Sequence, residues 1–121
     1  MRFLMYTLGD DSKPIPPPTP ELMAEMGKFM AEAVNAGVLV ATGGMGPTAQ
    51  GVTVKLANGK YTVTDGPYAE SKELIGGWAL VEVKSKQEAI DWAKRFLKVA
   101  GGGESRIREV FGGEDVHPKH A

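Results

Sequence analysis

The sequence contains no cysteine among its 121 residues and only two histidines. The absence of cysteine excludes disulfide bonds, thiolate nucleophiles and thiolate metal ligands together, so a small secreted domain held by disulfides is not expected. Both histidines, His117 and His120, lie near the C-terminus, where two ligands without a third do not define a metal site. We therefore expect no metal, no cofactor and a reducing, cytoplasmic environment.

Net charge and long apolar runs are also scarce. The formal net charge is -1, whereas proteins that bind nucleic acids usually carry a clear excess of basic residues. No apolar run approaches the ~20 residues that a membrane-spanning helix needs, and the opening segment MRFLMYTL is too short for a secretory apolar region. These observations predict no membrane partner and no nucleic-acid partner.

Periodic patterns of apolar residues predict six strands and two amphipathic helices. The predicted strands cover residues 2–8, 38–42, 51–56, 60–64, 78–83 and 105–111. The order strand, helix, strand, hairpin, strand, helix, strand predicts an α+β ferredoxin-like sandwich in which both helices cover one face of the sheet. We expect one domain over residues 1–112 and a flexible tail over 113–121.

Local signals mark where the helices and the hairpin begin. Thr19 followed by Pro20 is typical of a helix start, and Ser85 with Glu88 forms a capping box that opens a second helix. The Asn-Gly pair at positions 58 and 59 predicts a tight hairpin, because these residues tolerate positive φ.

The first predicted helix carries three methionines, Met23, Met26 and Met30. Methionine can form adaptable binding surfaces, but methionines at helical spacing belong more often to a core. We therefore interpret all three as core residues.

The central strands are apolar on both faces. In the first strand Phe3 and Met5 point one way, while Leu4, Tyr6 and Leu8 point the other. Because two helices can cover only one face, the other face needs a second cover. The simplest cover is the sheet of a second copy, so we predict a homodimer whose sheets face each other and enclose a ligand-binding space.

The segment DGPYAESKELIGGWALVEVKSKQEAIDWAKRF, residues 65–96, resembles the signature of the YCII-related family, in particular its DGPF branch. The opening MRFLMYTL and the closing IREVF are similar to the ends of that family, although Tyr68 stands where the branch usually has phenylalanine. The resemblance implies a dimeric α+β barrel of ferredoxin-like protomers, a bacterial and cytoplasmic protein, and a link to regulation. Related proteins are thought to use a histidine with an aspartate, and this sequence has no histidine before its tail.

Asp65 is the candidate catalytic residue, and Asp65, Gly66 and Pro67 are candidate ligand-binding residues. At the end of a strand, the Asp65 carboxylate could point into the dimer cavity and act as a general acid or base. The same three residues also form a common turn, because aspartate bonds nearby backbone, glycine supplies positive φ and proline fixes φ. The turn and the functional interpretation are compatible.

Three further residues are candidates for ligand binding: Tyr6, Glu70 and Lys72. Glu70 and Lys72 could orient an ionic ligand or simply pair at the surface, where each ion pair contributes ~0–1 kcal/mol. The Tyr6 hydroxyl could reach the cavity, or the ring could be a core residue.

Three functions remain open from the sequence. The favoured one is a small-molecule ligand-binding or regulatory dimer without chemistry. The alternative is a metal-independent enzyme that acts on a small polar substrate with Asp65 as acid or base. The third is an RNA-binding module, prompted by GGWALVEV, in which only Trp78 occupies an aromatic position of the RNA-recognition motif.

Overall fold

The computed structural model describes residues 1–9, 18–46, 48–66 and 75–112. The elements in chain order are β1 (Arg2–Leu8), α1 (Pro20–Asn35), β2 (Leu39–Gly44), a 3₁₀ turn (Thr48–Gln50), β3 (Val52–Ala57), β4 (Lys60–Asp65), β5 (Ile75–Glu82), α2 (Lys86–Ala100) and β6 (Glu104–Val110). This order confirms the predicted succession of strands and helices. The largest difference in a boundary is at β5, which begins at Ile75 instead of Trp78.

Four strands form one antiparallel sheet in the order β2-β5-β1-β6. Both helices pack on the same face, where α1 contacts β2 and α2 contacts β1 and β6. The arrangement confirms the α+β ferredoxin-like fold. Strands β3 and β4 form a separate two-stranded sheet.

The predicted helix caps are present. The Thr19 hydroxyl accepts a hydrogen bond from the Leu22 amide at 3.1 Å, and the Ser85 hydroxyl accepts one from the Glu88 amide at 3.1 Å. The Glu88 carboxylate accepts from the Lys84 amide at 3.0 Å, one residue earlier than the usual capping box. Each of these bonds satisfies an amide that a helix start leaves without an intrahelical partner.

The core lies between the sheet and the helices. Its buried residues are Phe3, Val38, Val81, Val83 and Ala89, with Met5, Leu39, Ala79, Trp92 and Ile107 packed around them. Because Phe3 and Met5 alternate with Leu4 and Tyr6 along β1, the helices cover the face that bears Phe3.

The prediction that all three methionines of α1 are core residues is wrong for Met23, whose exposed fraction is 61%. Met26 and Met30 are half-buried, as predicted. Met23 lies about 60° around the helix from Met26, at the edge of the apolar stripe. Its side chain therefore faces solvent.

The sheet has a second face, directed away from the helices, which we call the outer face. Register and alternation put Leu4 beside Leu80 and Tyr6 beside Trp78 on this face, while Arg106 lies across from Tyr6 on the edge strand β6. The central side chains Leu4, Trp78 and Leu80 are half-buried, so the predicted apolar character of both faces is confirmed.

Strands β3 and β4 form the predicted hairpin, which we call the arm (residues 52–65). Its turn has positive φ at Asn58 (53°) and Gly59 (75°), the combination for which Asn-Gly is favoured. Every residue of both strands is exposed. The arm therefore extends from the body instead of joining the main sheet.

Neither helix within the described ranges is both long enough and apolar enough to cross a bilayer. The tail predicted over 113–121 lies outside the described residues.

Candidate functional site

A cavity of about 260 Å³ lies between the two helices and the sheet of a single chain. It is partly open, and its walls are mostly apolar. The helices contribute Met26, Phe29, Met30, Ala33, Trp92, Ala93 and Phe96. The strands contribute residues that include Met5, Thr7, Leu39, Thr42, Ala79 and Ser105, and Val38 lines the cavity just before β2. The predicted ligand space between two facing sheets is a different place, and its existence depends on a second copy.

Three aromatic rings form the helical side of the cavity. The Phe29 ring centroid lies 5.8 Å from that of Trp92 and 6.4 Å from that of Phe96, with tilted planes in both pairs. These separations fall within the range at which aromatic pairs attract each other through their quadrupoles. The rings therefore give the cavity a wall that is apolar and polarizable.

Arg95 covers this aromatic wall from the solvent side. Its guanidinium carbon lies 4.7 Å from the Trp92 ring centroid and 5.4 Å from that of Phe29. The guanidinium also donates to the Glu32 carboxylate on α1, so one side chain joins the two helices. Because the Arg95 and Glu32 side chains are 46% and 55% exposed, solvent screens this pair and its contribution is small.

The polar groups of the cavity are concentrated at one end of the sheet. The Thr7 hydroxyl accepts a hydrogen bond from the Gly77 amide at 2.9 Å, and the Thr42 hydroxyl donates to the Trp78 carbonyl at 2.8 Å. Ser105 lies directly across from Thr7 in the β1–β6 register, so their side chains are neighbours on the same face. A ligand in the cavity would meet apolar side chains along most of its length and hydroxyl groups at this end.

A β-bulge shapes the same end. The register between β1 and β5 shifts after Tyr6, so that Gly76 and Gly77 both lie opposite Thr7. A Cβ added at Gly76 would come within 3.4 Å of the Thr7 hydroxyl oxygen, and one at Gly77 within 3.6 Å. Both distances are ordinary van der Waals contacts, so the two glycine positions border the Thr7 hydroxyl directly.

Gly43 lies opposite Trp78 on the outer face of the sheet. A Cβ built on it would lie 3.0 Å from the Trp78 ring, closer than real Cβ atoms normally approach. Trp78 borders the cavity because β5 runs beside it, but the indole ring lies over Gly43 on the outer face. Ala79 and Val81 point the other way, towards the helices.

The structure separates the residues that the sequence proposed for the site. Tyr6 is 9% exposed and borders the cavity. Asp65 is exposed at the base of the arm and does not belong to the described cavity lining. The Gly66 amide donates to the Gly51 carbonyl at 2.8 Å, which closes the arm at its base. Pro67, Glu70 and Lys72 lie outside the described residues.

The cavity residues that were not proposed from the sequence include Thr7, Thr42, Ser105 and Trp92. A weak signal existed for Thr7, because it is the polar member of the inward-facing series Phe3, Met5, Thr7. Trp92 follows Ala89 by three residues and precedes Phe96 by four, so helical periodicity puts it on the same face of α2 as these two apolar residues. Among the described residues, no three acidic or histidine side chains are grouped as metal ligands would be.

Two known proteins provide comparisons. A solved structure of 5-chloro-2-hydroxyhydroquinone dehydrochlorinase from Burkholderia phenoliruptrix, in complex with 2,5-dihydroxybenzoquinone, aligns over 93% of this chain and 96% of its own, with 17% identity and a TM-score of 0.43. An uncharacterized protein of Rhizobium meliloti is 33% identical over 73 residues, which is 60% of this chain and 59% of that relative. The aligned part thus spans less than two thirds of the relative.

A family comparison covers nearly the whole chain. The model of the YCII-related domain matches residues 1–112, which include every described strand and both described helices. The match is to the family as a whole and does not single out its DGPF branch. The chain therefore belongs to the YCII-related family.

Proposed function

We propose that this protein binds a small, mostly apolar molecule in the cavity between its helices and its sheet. The observation that carries the proposal is a cavity of about 260 Å³ with aromatic and methionine walls and hydroxyl groups at one end. Ligand pockets commonly combine an apolar lining with a few polar groups that orient the ligand. An enclosed volume of about 150 Å³ already holds benzene, so this cavity has room for one substituted ring.

The size of the cavity also argues for an occupant. Protein interiors normally contain few voids larger than a water molecule. By the measured dependence of stability on cavity volume, an empty enclosed space this large would cost up to about 6 kcal/mol, comparable to the whole stability of a small domain. Because the cavity is partly open, the real cost is smaller, but a ligand that fills it would still stabilise the fold.

The proposal is tested with p-cresol, which combines one apolar ring with one hydroxyl group. We expect saturable binding to the purified protein, measured by calorimetric titration. The substitution Ala33→Met places a larger side chain in the cavity, since Ala33 is 5% exposed and lines it. It should weaken p-cresol binding by at least about tenfold, because the ligand and the new side chain compete for the same volume.

Ala31→Met is the matched control, since Ala31 lies on the same helix but is exposed. This variant should bind p-cresol as the wild type does. Equal binding by all three proteins would contradict the proposal, because it would put the probe outside the cavity.

The other sequence-based proposals are compatible with this one. A regulatory role and a cytoplasmic location would suit a protein that senses a small metabolite without transforming it. Asp65 remains the proposed acid or base, and Asp65, Gly66, Pro67, Glu70 and Lys72 the proposed polar contacts, of the alternative enzyme. We propose no nucleic-acid partner, since the tryptophan on the outer face, Trp78, is half-buried and the chain has a net charge of -1.

A further inference from the structure

The described lining of the cavity consists of neutral side chains. They are methionine, aromatic, alanine, valine, leucine, threonine and serine residues, together with glycine. A hydroxyl group of a ligand can be satisfied by a hydrogen bond in such a place, whereas a charged group would lose hydration without gaining a counter-charge. The cavity should therefore treat the neutral and the charged form of one ligand very differently.

The charged side chains of the four-stranded sheet lie away from the polar end of the cavity. On β6, Glu104 and Arg106 alternate with the cavity residue Ser105, so they point to the outer face. Glu109 shares the face of Ser105 but follows it by four residues, which is about 13 Å along a strand. The other titratable side chains of this sheet are on its outer face or at its far end: Arg108, Tyr6, Arg2 and Glu82.

The charged side chains of the two helices face solvent. Arg95 lies on the solvent side of the aromatic wall, and its charge is already paired with Glu32. The charged residues that neighbour the cavity-lining positions along α1 and α2 are all exposed: Glu25, Lys28, Glu32, Asp91, Lys94 and Arg95. The helices therefore present to the cavity the same kind of neutral surface as the sheet does.

The hydrogen-bond donors at the polar end are partly committed to the protein itself. The Gly77 amide donates to the Thr7 hydroxyl oxygen at 2.9 Å, and the Thr42 hydroxyl donates to the Trp78 carbonyl at 2.8 Å. The Thr7 hydroxyl has a longer contact, 3.4 Å, with the Gly77 carbonyl, so its proton can turn to a ligand. The hydroxyls of Thr7 and Ser105 suffice to bind one ligand hydroxyl, but they do not supply the counter-charge that a buried anion needs.

We propose that the cavity selects electrically neutral ring compounds and takes up a weakly acidic phenol only in its protonated form. The inference rests on the proposed function, because it concerns the same cavity, and it adds the charge state of the ligand. If only the protonated form binds, burial raises the pKa of the bound phenol above its value in water. Binding is then fully present below the pKa of the free phenol and weakens by about tenfold for each pH unit above it.

The first test compares p-cresol with p-hydroxybenzoate, which replaces the methyl group by a carboxylate. In calorimetric titrations at neutral pH, p-hydroxybenzoate should bind at least about 100-fold more weakly, because a buried charge without a partner is strongly disfavoured. The control is p-hydroxybenzamide, a neutral compound of the same size, which should bind at least about tenfold more tightly than the carboxylate. Equal binding of the amide and the carboxylate would overturn the inference alone, whereas absence of p-cresol binding would overturn the proposed function with it.

The second test observes the protonation state of the ligand directly. The hydroxyl of p-nitrophenol titrates near neutral pH, and its anion is yellow. At the pH where the free compound is half ionised, added protein should lower the absorbance of the anion, because the bound form takes up a proton. The apparent Kd should rise by about 100-fold over the next two pH units, while the Kd of p-cresol, whose hydroxyl titrates at about 10, stays constant. An unchanged or increased anion absorbance would overturn the inference.

The third test supplies the missing counter-charge. Ser105→Lys places a cation beside the polar end of the cavity, and it should strengthen binding of the p-nitrophenol anion by at least about tenfold and so flatten the pH dependence. Ser105→Met is the matched control, because it adds a side chain of similar length without charge, and it should keep the pH dependence of the wild type. Circular dichroism checks that both variants are folded. Loss of the pH dependence in Ser105→Met as well would overturn the inference, because the selectivity would then not depend on charge.

Discussion

The cavity wall and the arm are built from similar residues but differ completely in exposure. Val81, in the middle of the main sheet, is 2% exposed, while Val54, in the middle of the arm, is 65% exposed. Both are valines on antiparallel strands with apolar neighbours. The difference is in what covers them, since two helices lie over Val81 and nothing in the described part of the same chain lies over Val54.

This comparison distinguishes two kinds of incomplete packing. The helices cover the sheet but leave a gap whose size fits a small molecule. The arm leaves an entire face open, and the area of that face fits a protein surface. Similar apolar composition therefore predicts different partners in the two regions.

The comparison is tested most strongly by making the same substitution, valine to alanine, in both regions. Val81→Ala should lower the free energy of unfolding by about 2 kcal/mol, because it removes buried methyl groups and leaves a void. Val54→Ala should change it by less than about 0.5 kcal/mol in dilute, monomeric protein. Urea titration of each variant gives both values, and equal losses would show that the arm is packed within its own chain.

A smaller effect is expected at the polar end of the cavity. Thr7→Val keeps the shape of the side chain but removes the hydroxyl that lies beside Ser105 and the Gly77 amide. The preference of the protein for p-cresol over toluene should fall by about fivefold, because one hydrogen bond contributes about 1 kcal/mol. Calorimetric titration with both compounds measures this ratio.

Thr62→Val, the same substitution on the polar face of the arm, is the control for this experiment. It should leave the ratio unchanged. A ratio that does not respond to Thr7→Val would mean that the ligand does not reach the hydroxyl end.

The smallest effect is expected for Arg95→Met, which removes the charge over the aromatic wall and retains much of the side-chain stem. Thermal unfolding should show a loss below about 1 kcal/mol, because the ion pair and the cation–π contacts are exposed. Lys94→Met, at an exposed neighbouring position, should be close to neutral. A large loss for Arg95→Met alone would mean that the arginine, and not ring packing, holds the wall in place.

Much of the fold was predictable because its signals are local. Thr19, Ser85 and Asn58 each determine a cap or a turn through bonds or dihedral angles of a few adjacent residues. The alternation along β1 also predicted correctly that both faces of the sheet are apolar.

The cavity was not predictable in the same way. Its volume depends on how the side chains of α1 and α2 fill the space above the sheet, and periodicity carries no information about such fitting. The bulge at Gly76 and Gly77 depends on the Thr7 hydroxyl of a strand that is distant in sequence. The sequence therefore indicated the apolar faces, while the position of the gap followed only from the structure.

The central claim, that the ligand site lies between the helices and the sheet, can be tested with the two tryptophans. Trp92 lines the cavity, whereas the Trp78 indole lies over Gly43 on the outer face. In a ¹H–¹⁵N spectrum of the protein titrated with p-cresol, the Trp92 indole signal should shift saturably and the Trp78 indole signal should stay nearly fixed. A saturable shift of Trp78 without one of Trp92 would contradict the account and place the ligand on the outer face of the sheet.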